Sequence, residues 1–536
     1  MFYRGDTRVR FATAIVLLLS MLLLLPWLGE TWFNSKGEPR EAIVAVTMLQ
    51  SGDWVLPLSF GSDMPYKPPL LAWMIAAAAW LFNGGVVNEY LSRLPSALAA
   101  IALIMAGFAW ARRERGDRFA IVMSIVTLTC FEVFRAAMAC RVDMVLTACM
   151  VIPVYILYRI REDRRGKGKF AQWLAAWALL TGAVLAKGPV GSLLPCMAMG
   201  IFFLLRGERF FPTLLRMLSL ALAAMLLPAV WYYAAWLRGG DAFLDLMLEE
   251  NIGRLTGQMS YESHEQPFYY NFITLIAGCL PWTLMVLMAA TTLRKARRTP
   301  LKPAGMLALT VAVAVVAFYC IPSSKRSVYL LPAYPFVCYA IASIADSETA
   351  RRPVKWFTWL FSVLAIAVPL VFTALYIFPQ PALPLAAPHW YGWIALAVPP
   401  ALGIAWMINR HSPAGHLLLT VWSLYLAYIA CVMPAVLNPR SDRNLIPTID
   451  AGADTAILIL QPPADNKYRL FTLYFYYNDR LRPVENVQEA GRYPRGTVLL
   501  YPHYADTTGL TPGFTHGTLT PRGCDHRHAL GFARKK

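Results

Sequence analysis

The chain has 536 residues, 57% of them in the hydrophobic set and only 15% charged, a balance that excludes an ordinary soluble domain. Its net charge of +18 would suit a nucleic-acid partner, but the Lys and Arg residues cluster in short segments between long apolar runs, where membrane topology puts them, and nucleic acid is set aside. Most of the cysteines lie in or beside apolar runs, and Cys524, in a polar segment, has no partner of its own, so a disulfide framework is excluded as well.

A helix needs about 20 apolar residues to cross a lipid core ~30 Å thick. That length predicts about thirteen spans in chain order, over 11–28, 91–111, 119–136, 142–158, 170–186, 189–205, 213–236, 268–291, 304–321, 328–345, 356–377, 390–408 and 414–433. The first run has no small-residue cleavage site before Trp27 and Trp32 and reads as a retained anchor rather than a signal peptide. The apolar run at 68–84 is decided by charge. With Arg4, Arg8 and Arg10 in the cytoplasm and 68–84 lying in or re-entering the interface, alternate connections are basic at 112–118, 161–169, 206–216, 294–298, 351–355 and 410. Counting 68–84 as a span would turn most of these groups outward.

An odd number of spans leaves the tail from about 436 outside. There the β-rich runs 456–460 and 497–501 alternate with polar turns. The expectation is therefore an all-α polytopic membrane domain over 1–435, with long outside loops at 29–90 and 237–267, followed by a small α/β domain over 436–536. No Walker or dinucleotide-binding loop and no internal repeat is present, which leaves ATP-driven transport without an engine.

The candidate chemistry gathers on the outside face. Pro39 suits a first helical turn and places Glu38 at its N-terminal end, where it can cap the helix or serve as a functional carboxylate beside Arg40 and Glu41. Lys67, after Tyr66, precedes Pro68 and Pro69, which fix an extended entry into the apolar run. Its ammonium can snorkel or hold a phosphate. Asp143 opens a span, where a carboxylate is costly unless paired with Arg141 or Arg135 or set to orient a substrate. Lys187, beside Gly188 and Pro189, is either a turn lysine or a phosphate ligand lining a cavity. The second long loop carries Glu249, Glu250, Asn251, Arg254 and His264. The basic outside turn with Lys325 and Arg326 breaks the positive-inside trend and calls for an anionic partner, a lipid phosphate.

In this order, Glu38-Pro39-Arg40-Glu41-Ala42, Ser51-Gly52-Asp53-Trp54, Tyr66-Lys67-Pro68-Pro69-Leu70, Asp143-Met144, Lys187-Gly188 and Ser324-Lys325 resemble the 4-amino-4-deoxy-L-arabinose transferase family of GT-C glycosyltransferases. The likeness covers about residues 10–335. It implies a bacterial inner-membrane enzyme with a periplasmic C-terminal domain, an undecaprenyl-phosphate sugar as donor, and lipid A or a related envelope molecule as acceptor. Lys67 would bind the donor phosphate, Arg40 would support it, and Asp143 would belong to the acidic set of the cavity. The segment with Asn251, Arg254 and His264 is similar to the family's periplasmic loop. Two departures matter. Gly37 stands where the family usually has an acidic residue, shifting any base role to Glu38, and Tyr66 replaces another, which puts a divalent-cation site shared with His264 in doubt.

The expected reaction is inverting sugar transfer from polyprenyl phosphate, with Lys67 and the other outer cations stabilising the leaving phosphate and Glu38 or Asp143 as base for a hydroxyl acceptor. A protein or glycan O-glycosyltransferase is the alternative enzyme. A lipid or solute transporter is the alternative of another class, though its charges would lie near the midplane rather than at one interface.

Overall fold

The structure is a computed structural model that describes residues 2–35, 37–59, 63–163, 168–253, 265–294, 300–381, 383, 385–409, 413–449, 456–460, 471–477, 481–502, 514–519 and 530–535. Apolar composition makes helices of nearly every run predicted to span, and the packed helices tolerate internal prolines at Pro95, Pro153, Pro195, Pro369, Pro399 and Pro400. In chain order the main helices are α1 (Phe2–Leu24), α2 (Gly37–Ser51), α3 (Leu70–Phe82), α4 (Glu89–Arg115), α5 (Asp117–Leu128), α6 (Phe131–Ala137), α7 (Val142–Glu162), α8 (Lys169–Lys187) and α9 (Val190–Leu205). They continue with α10 (Phe210–Ala223), α11 (Leu226–Leu248), α12 (Tyr270–Gly278), α13 (Trp282–Arg294), α14 (Pro303–Cys320), α15 (Tyr334–Ala345), α16 (Arg351–Ile377), α17 (Trp390–Ile408) and α18 (Pro413–Ala427).

Among the described residues, nine helices are long and apolar enough to cross a membrane, or up to eleven if two bent pairs each count as one. The bends are 67° between α5 and α6 and 102° between α12 and α13. Each apolar run predicted to span falls on a helix or a pair of helices. The apolar part of α1 (Arg10–Leu24) and α9 also fall short of 18 residues, but the helix of the run at 68–84 is shorter still: Pro69 precedes α3, which is only 13 residues long and ends at Asn83 before Gly84 and Gly85, both at positive φ. At 1.5 Å per residue such a helix reaches about 20 Å, well short of the lipid core.

Helix α7 is the axis of the bundle, with 78% of its apolar window buried, whereas α16, at 28%, turns most of its apolar surface outward. The main core packs Phe108 and Trp110 of α4, Phe119 of α5, Tyr155 of α7, Phe202 of α9 and Phe336 of α15 together. The same core takes in Met144 and Leu146, which hold the N-terminal end of α7, and with it Asp143, against the neighbouring helices.

Among the described residues of the C-terminal segment there are five strands, β1 (Ile457–Leu460), β2 (Leu481–Val484), β3 (Val498–Pro502), β4 (Phe514–Leu519) and β5 (Leu530–Lys535), ordered β2-β1-β3-β5-β4. The β1 strand pairs in parallel with β2 and β3, and β5 runs antiparallel to β3 and β4. One face of this sheet does not stand apart from the helices. Ile457, Ile459, Leu473 and Leu500 share a core with Ala42, Val46 and Phe33. Polar ties add to it: Trp32 N–H donates to Asn438 at 2.9 Å, Ser441 Oγ to Phe33 O at 2.6 Å, and Tyr476 Oη to Glu89 at 2.8 Å. The helix Phe471–Tyr477, which carries Leu473 and Tyr476 and shares its core with the sheet, thus backs α2, the helix that carries Glu38, Arg40 and Glu41.

Candidate active site

The segment before α3 returns to α2, and there Lys67 Nζ meets the Glu41 carboxylate in a very short ion pair. Tyr66 Oη donates to the same carboxylate at 2.8 Å, while the Arg40 guanidinium lies over the Tyr66 ring, 4.4 Å from its centroid. Burial alone raises the Glu41 pKa, but the charges of Lys67 and Arg40 outweigh it and hold the group below the usual carboxylate range. Burial, and then the Glu41 charge, push the Tyr66 phenol well above its ordinary value, so it stays protonated as a donor.

A second pair lies across from the first. Asp143, at the N-terminal end of α7, accepts from Lys187 Nζ at 2.7 Å and faces Arg141 Nε at 3.6 Å. Lys187 is the last residue of α8, because Gly188 at φ +88° ends the helix, and its ammonium lies 4.2 Å from the centroid of the Tyr329 ring. Asp143 also feels the charge of Lys67, which links the two pairs into one cluster. Four cations, Arg40, Lys67, Arg141 and Lys187, therefore surround two carboxylates. The Nε atoms of Arg40 and Arg141 are buried and have no hydrogen-bond partner. Positive charge and donors are left over for an anion.

A cavity of about 370 Å³ opens beside this cluster. Tyr66, Lys67, Lys187, Glu250, Asn251 and Tyr329 give its polar part, and Pro189, Val190, Leu193 and Phe318 its apolar part. A cationic end on an apolar groove matches a lipid phosphate attached to its hydrocarbon chain.

Other predicted residues take different positions. Glu38 is turned away from the cavity into a two-pronged ion pair with Arg93, at 2.8 and 3.0 Å, and also accepts from Cys140 N–H at 2.9 Å. Burial raises its pKa by itself, and the Arg93 charge and hydrogen bonds overcome this, holding it below the ordinary value. Lys325 is buried, and its ammonium donates to the carbonyls of Pro322 at 2.6 Å, Gln266 at 3.0 Å and Ser323 at 3.4 Å, so it staples a turn whose Ser324 lines the cavity. Arg326 is half-buried at the start of the helical turn Ser327–Ala333. Arg254 and His264 lie outside the described residues. Among the described residues no group of three His, Cys, Asp or Glu gathers that could hold a metal ion.

Arg93 and Tyr329 escape a search by motif, and Glu41, although it stands in the Glu38-to-Ala42 motif, is not marked there as the partner of Lys67. Arg93 could be found as an ionisable residue just inside an apolar run. Gly37 has its own reason. A Cβ there would collide with the Arg141 guanidinium, which runs past the start of α2 toward Asp143.

Residues 66–233 match the family model described as dolichyl-phosphate-mannose-protein mannosyltransferase, a stretch that holds Lys67, Asp143 and Lys187. An uncharacterized protein of Aquifex aeolicus is 26% identical over 366 residues, 66% of this chain and 70% of that protein. The undecaprenyl phosphate-alpha-4-amino-4-deoxy-L-arabinose arabinosyl transferase of Aeromonas salmonicida is 27% identical over 368 residues, 66% of this chain and only 64% of that protein. Among solved structures, ArnT from Cupriavidus metallidurans bound to undecaprenyl phosphate superposes with a TM-score of 0.73 at 20% identity, covering 98% of each chain. The resemblance carried by the motifs is borne out: the chain is related to the aminoarabinose transferases and has the GT-C fold.

Proposed function

We propose that the chain is a polyprenyl-phosphate-sugar-dependent glycosyltransferase that moves a sugar from undecaprenyl phosphate to an envelope acceptor bearing an ionised phosphate, lipid A in the first instance, at the periplasmic face of the inner membrane. The observation that carries this reading is the meeting of Lys67 and Lys187 at the polar end of an otherwise apolar cavity. The prenyl chain lies against Val190, Leu193 and Phe318, and its phosphate reaches the two ammonium groups. As the anomeric carbon is attacked from the opposite side, the bond to the phosphate oxygen breaks and a second negative charge builds on the departing lipid phosphate, and preorganised cations stabilise it more than the singly charged diester of the ground state.

The carboxylates favour an acceptor that is already ionised. Asp143 is held between Lys187 and Arg141, Glu41 between Lys67 and Tyr66, and Glu38 by Arg93. A carboxylate so stabilised as an anion is a weak base, whereas a phosphate acceptor needs no base and only positioning. Mass spectrometry of lipid A from cells with and without the gene tests the reading. Loss of an added sugar from a lipid A phosphate is the expected result, and unchanged lipid A in cells where the enzyme is produced and folded overturns it.

The match to the mannosyltransferase family model supports a second reading, with a protein hydroxyl as acceptor. That acceptor needs a base, and Glu250 on the cavity wall is the group within the site that could supply one. Glycans missing from envelope proteins in the same cells, with lipid A intact, would select it.

A further inference from the structure

A second cavity, also about 370 Å³, lies between α4 and α7 near the ends of those helices remote from Asp143. From Asp143 to Arg159 is sixteen residues along α7, about 24 Å at 1.5 Å each, so this cavity is separate from the site described above. Its depth is apolar and aromatic, with Ile152, Ile156 and Trp110, whose ring stacks on Tyr155 at 4.9 Å. Its rim is charged, with Arg113 and Arg159 beside Glu114 and Glu162.

Three observations call for a ligand. Trp110 and Tyr155 are each 95% buried, yet the indole Nε1 and the phenol Oη have no hydrogen-bond partner, an arrangement that costs free energy unless something accepts from them. Arg113 and Arg159 lie close enough to act on one another, and neither has an ion pair among the described residues, although most of the nearby arginines do: Arg112 with Asp117, Arg115 with Asp346, Arg161 with Glu208. Two adjacent like charges at a lipid-facing end repel unless an anion lies between them. Asp163, also on the lining, acts on Arg113 but forms no ion pair with it among the described residues, and Glu114 on the same rim, likewise in no ion pair among the described residues, accepts from Tyr158 with part of its carboxylate. It offers an acceptor for a cation of the same ligand.

We propose that this cavity binds a phospholipid whose headgroup joins a phosphate to a primary ammonium, as in phosphatidylethanolamine. The phosphate sits between Arg113 and Arg159, the ammonium donates to Glu114, and the glycerol ester oxygens accept from Trp110 Nε1 and Tyr155 Oη. An acyl chain follows Ile152 and Ile156 along the α4–α7 groove. A purely anionic headgroup would satisfy the arginines but meet repulsion from the rim carboxylates, and a quaternary ammonium could not donate to Glu114.

The test is native mass spectrometry of the full chain in detergent, with phosphatidylethanolamine, phosphatidylglycerol or phosphatidylcholine added at equal mole fraction. Retention of phosphatidylethanolamine should exceed the other two by at least about tenfold, the scale of one or two charge-assisted hydrogen bonds. The double variant Arg113→Gln/Arg159→Gln should lose that retention, and Arg113→Lys/Arg159→Lys should keep most of it. Glu114→Gln should bring the ratio to phosphatidylglycerol toward one. Both arginines are solvent-exposed, so the fold tolerates the exchange. Equal or tighter binding of phosphatidylglycerol by the unaltered chain overturns the proposal, as does undiminished phosphatidylethanolamine retention in the glutamine double variant.

Discussion

Lys67 and Glu38 look alike as candidates, each a charged residue in a short motif of the first outside loop, but they differ in what they touch. The Lys67 ammonium faces the cavity and Glu41 engages only part of its donor capacity. Lys67→Ala should cut transfer from the lipid donor by roughly two to three orders of magnitude, as removing a preorganised charge from a reacting anion does, with the melting temperature little changed. Turnover within threefold of the unaltered enzyme would sink the assignment. Glu38→Gln should do the reverse, because it leaves Arg93, 2% exposed, without its charge partner. Breaking a buried pair costs about 3–5 kcal/mol, which appears as a lower melting temperature with turnover per folded molecule retained. The pH dependence has a definite sign. The folded pKa of Glu38 lies below its unfolded value, so its contribution is fully present at neutral pH and fades only as pH falls below about 4, through the depressed value. Thermal unfolding of both forms at pH 7 and in the acid range should show their difference shrink on acidification.

Two glycines set how the elements meet at the site. Gly188 ends α8 at φ +88°, which aims Lys187 at Asp143, and a Cβ there would stand 2.5 Å from Asn251 Oδ1. Gly188→Ala should cost about 1–2 kcal/mol from the left-handed backbone alone, with a further loss of turnover as Lys187 and Asn251 shift. Circular dichroism melting and a transfer assay read the two effects separately. Gly37 clears a path for Arg141, so Gly37→Ala should displace that guanidinium from Asp143 and lower turnover more than stability. The sheet acts through α2. Because the helix Phe471–Tyr477 packs on α2 and shares one core with Ile457 and Leu500 of the sheet, removing 438–536 should expose that core and abolish transfer even where the membrane helices still insert. An active truncated enzyme would show that the sheet serves some other purpose.

Across the whole molecule, everything turns on which ends of the helices face which side. With α3 too short to cross, Val86 after it and Arg118 after α4 lie at opposite ends of one spanning helix, and both are exposed. A cysteine at Val86 should react with an impermeant maleimide in spheroplasts, and one at Arg118 only after the membrane is opened. The described native thiols are buried or half-buried and add little background. Labelling of both from the same side would dissolve the one-sided site. Hydropathy and β-rich composition sufficed to place the helices and to locate the strands at 456–460 and 497–501, because those are properties of consecutive residues. The same local information brought Lys67, Asp143 and Lys187 forward as candidates. Pairing was beyond it: that Glu38 belongs to Arg93, Lys67 to Glu41 and Lys325 to backbone carbonyls depends on how helices cross and where turns return. Lys67 to Glu41, Glu38 to Arg93 and Lys325 to the Gln266 carbonyl join residues 26 to 59 positions apart, and their energies exist only after packing has excluded water from both partners.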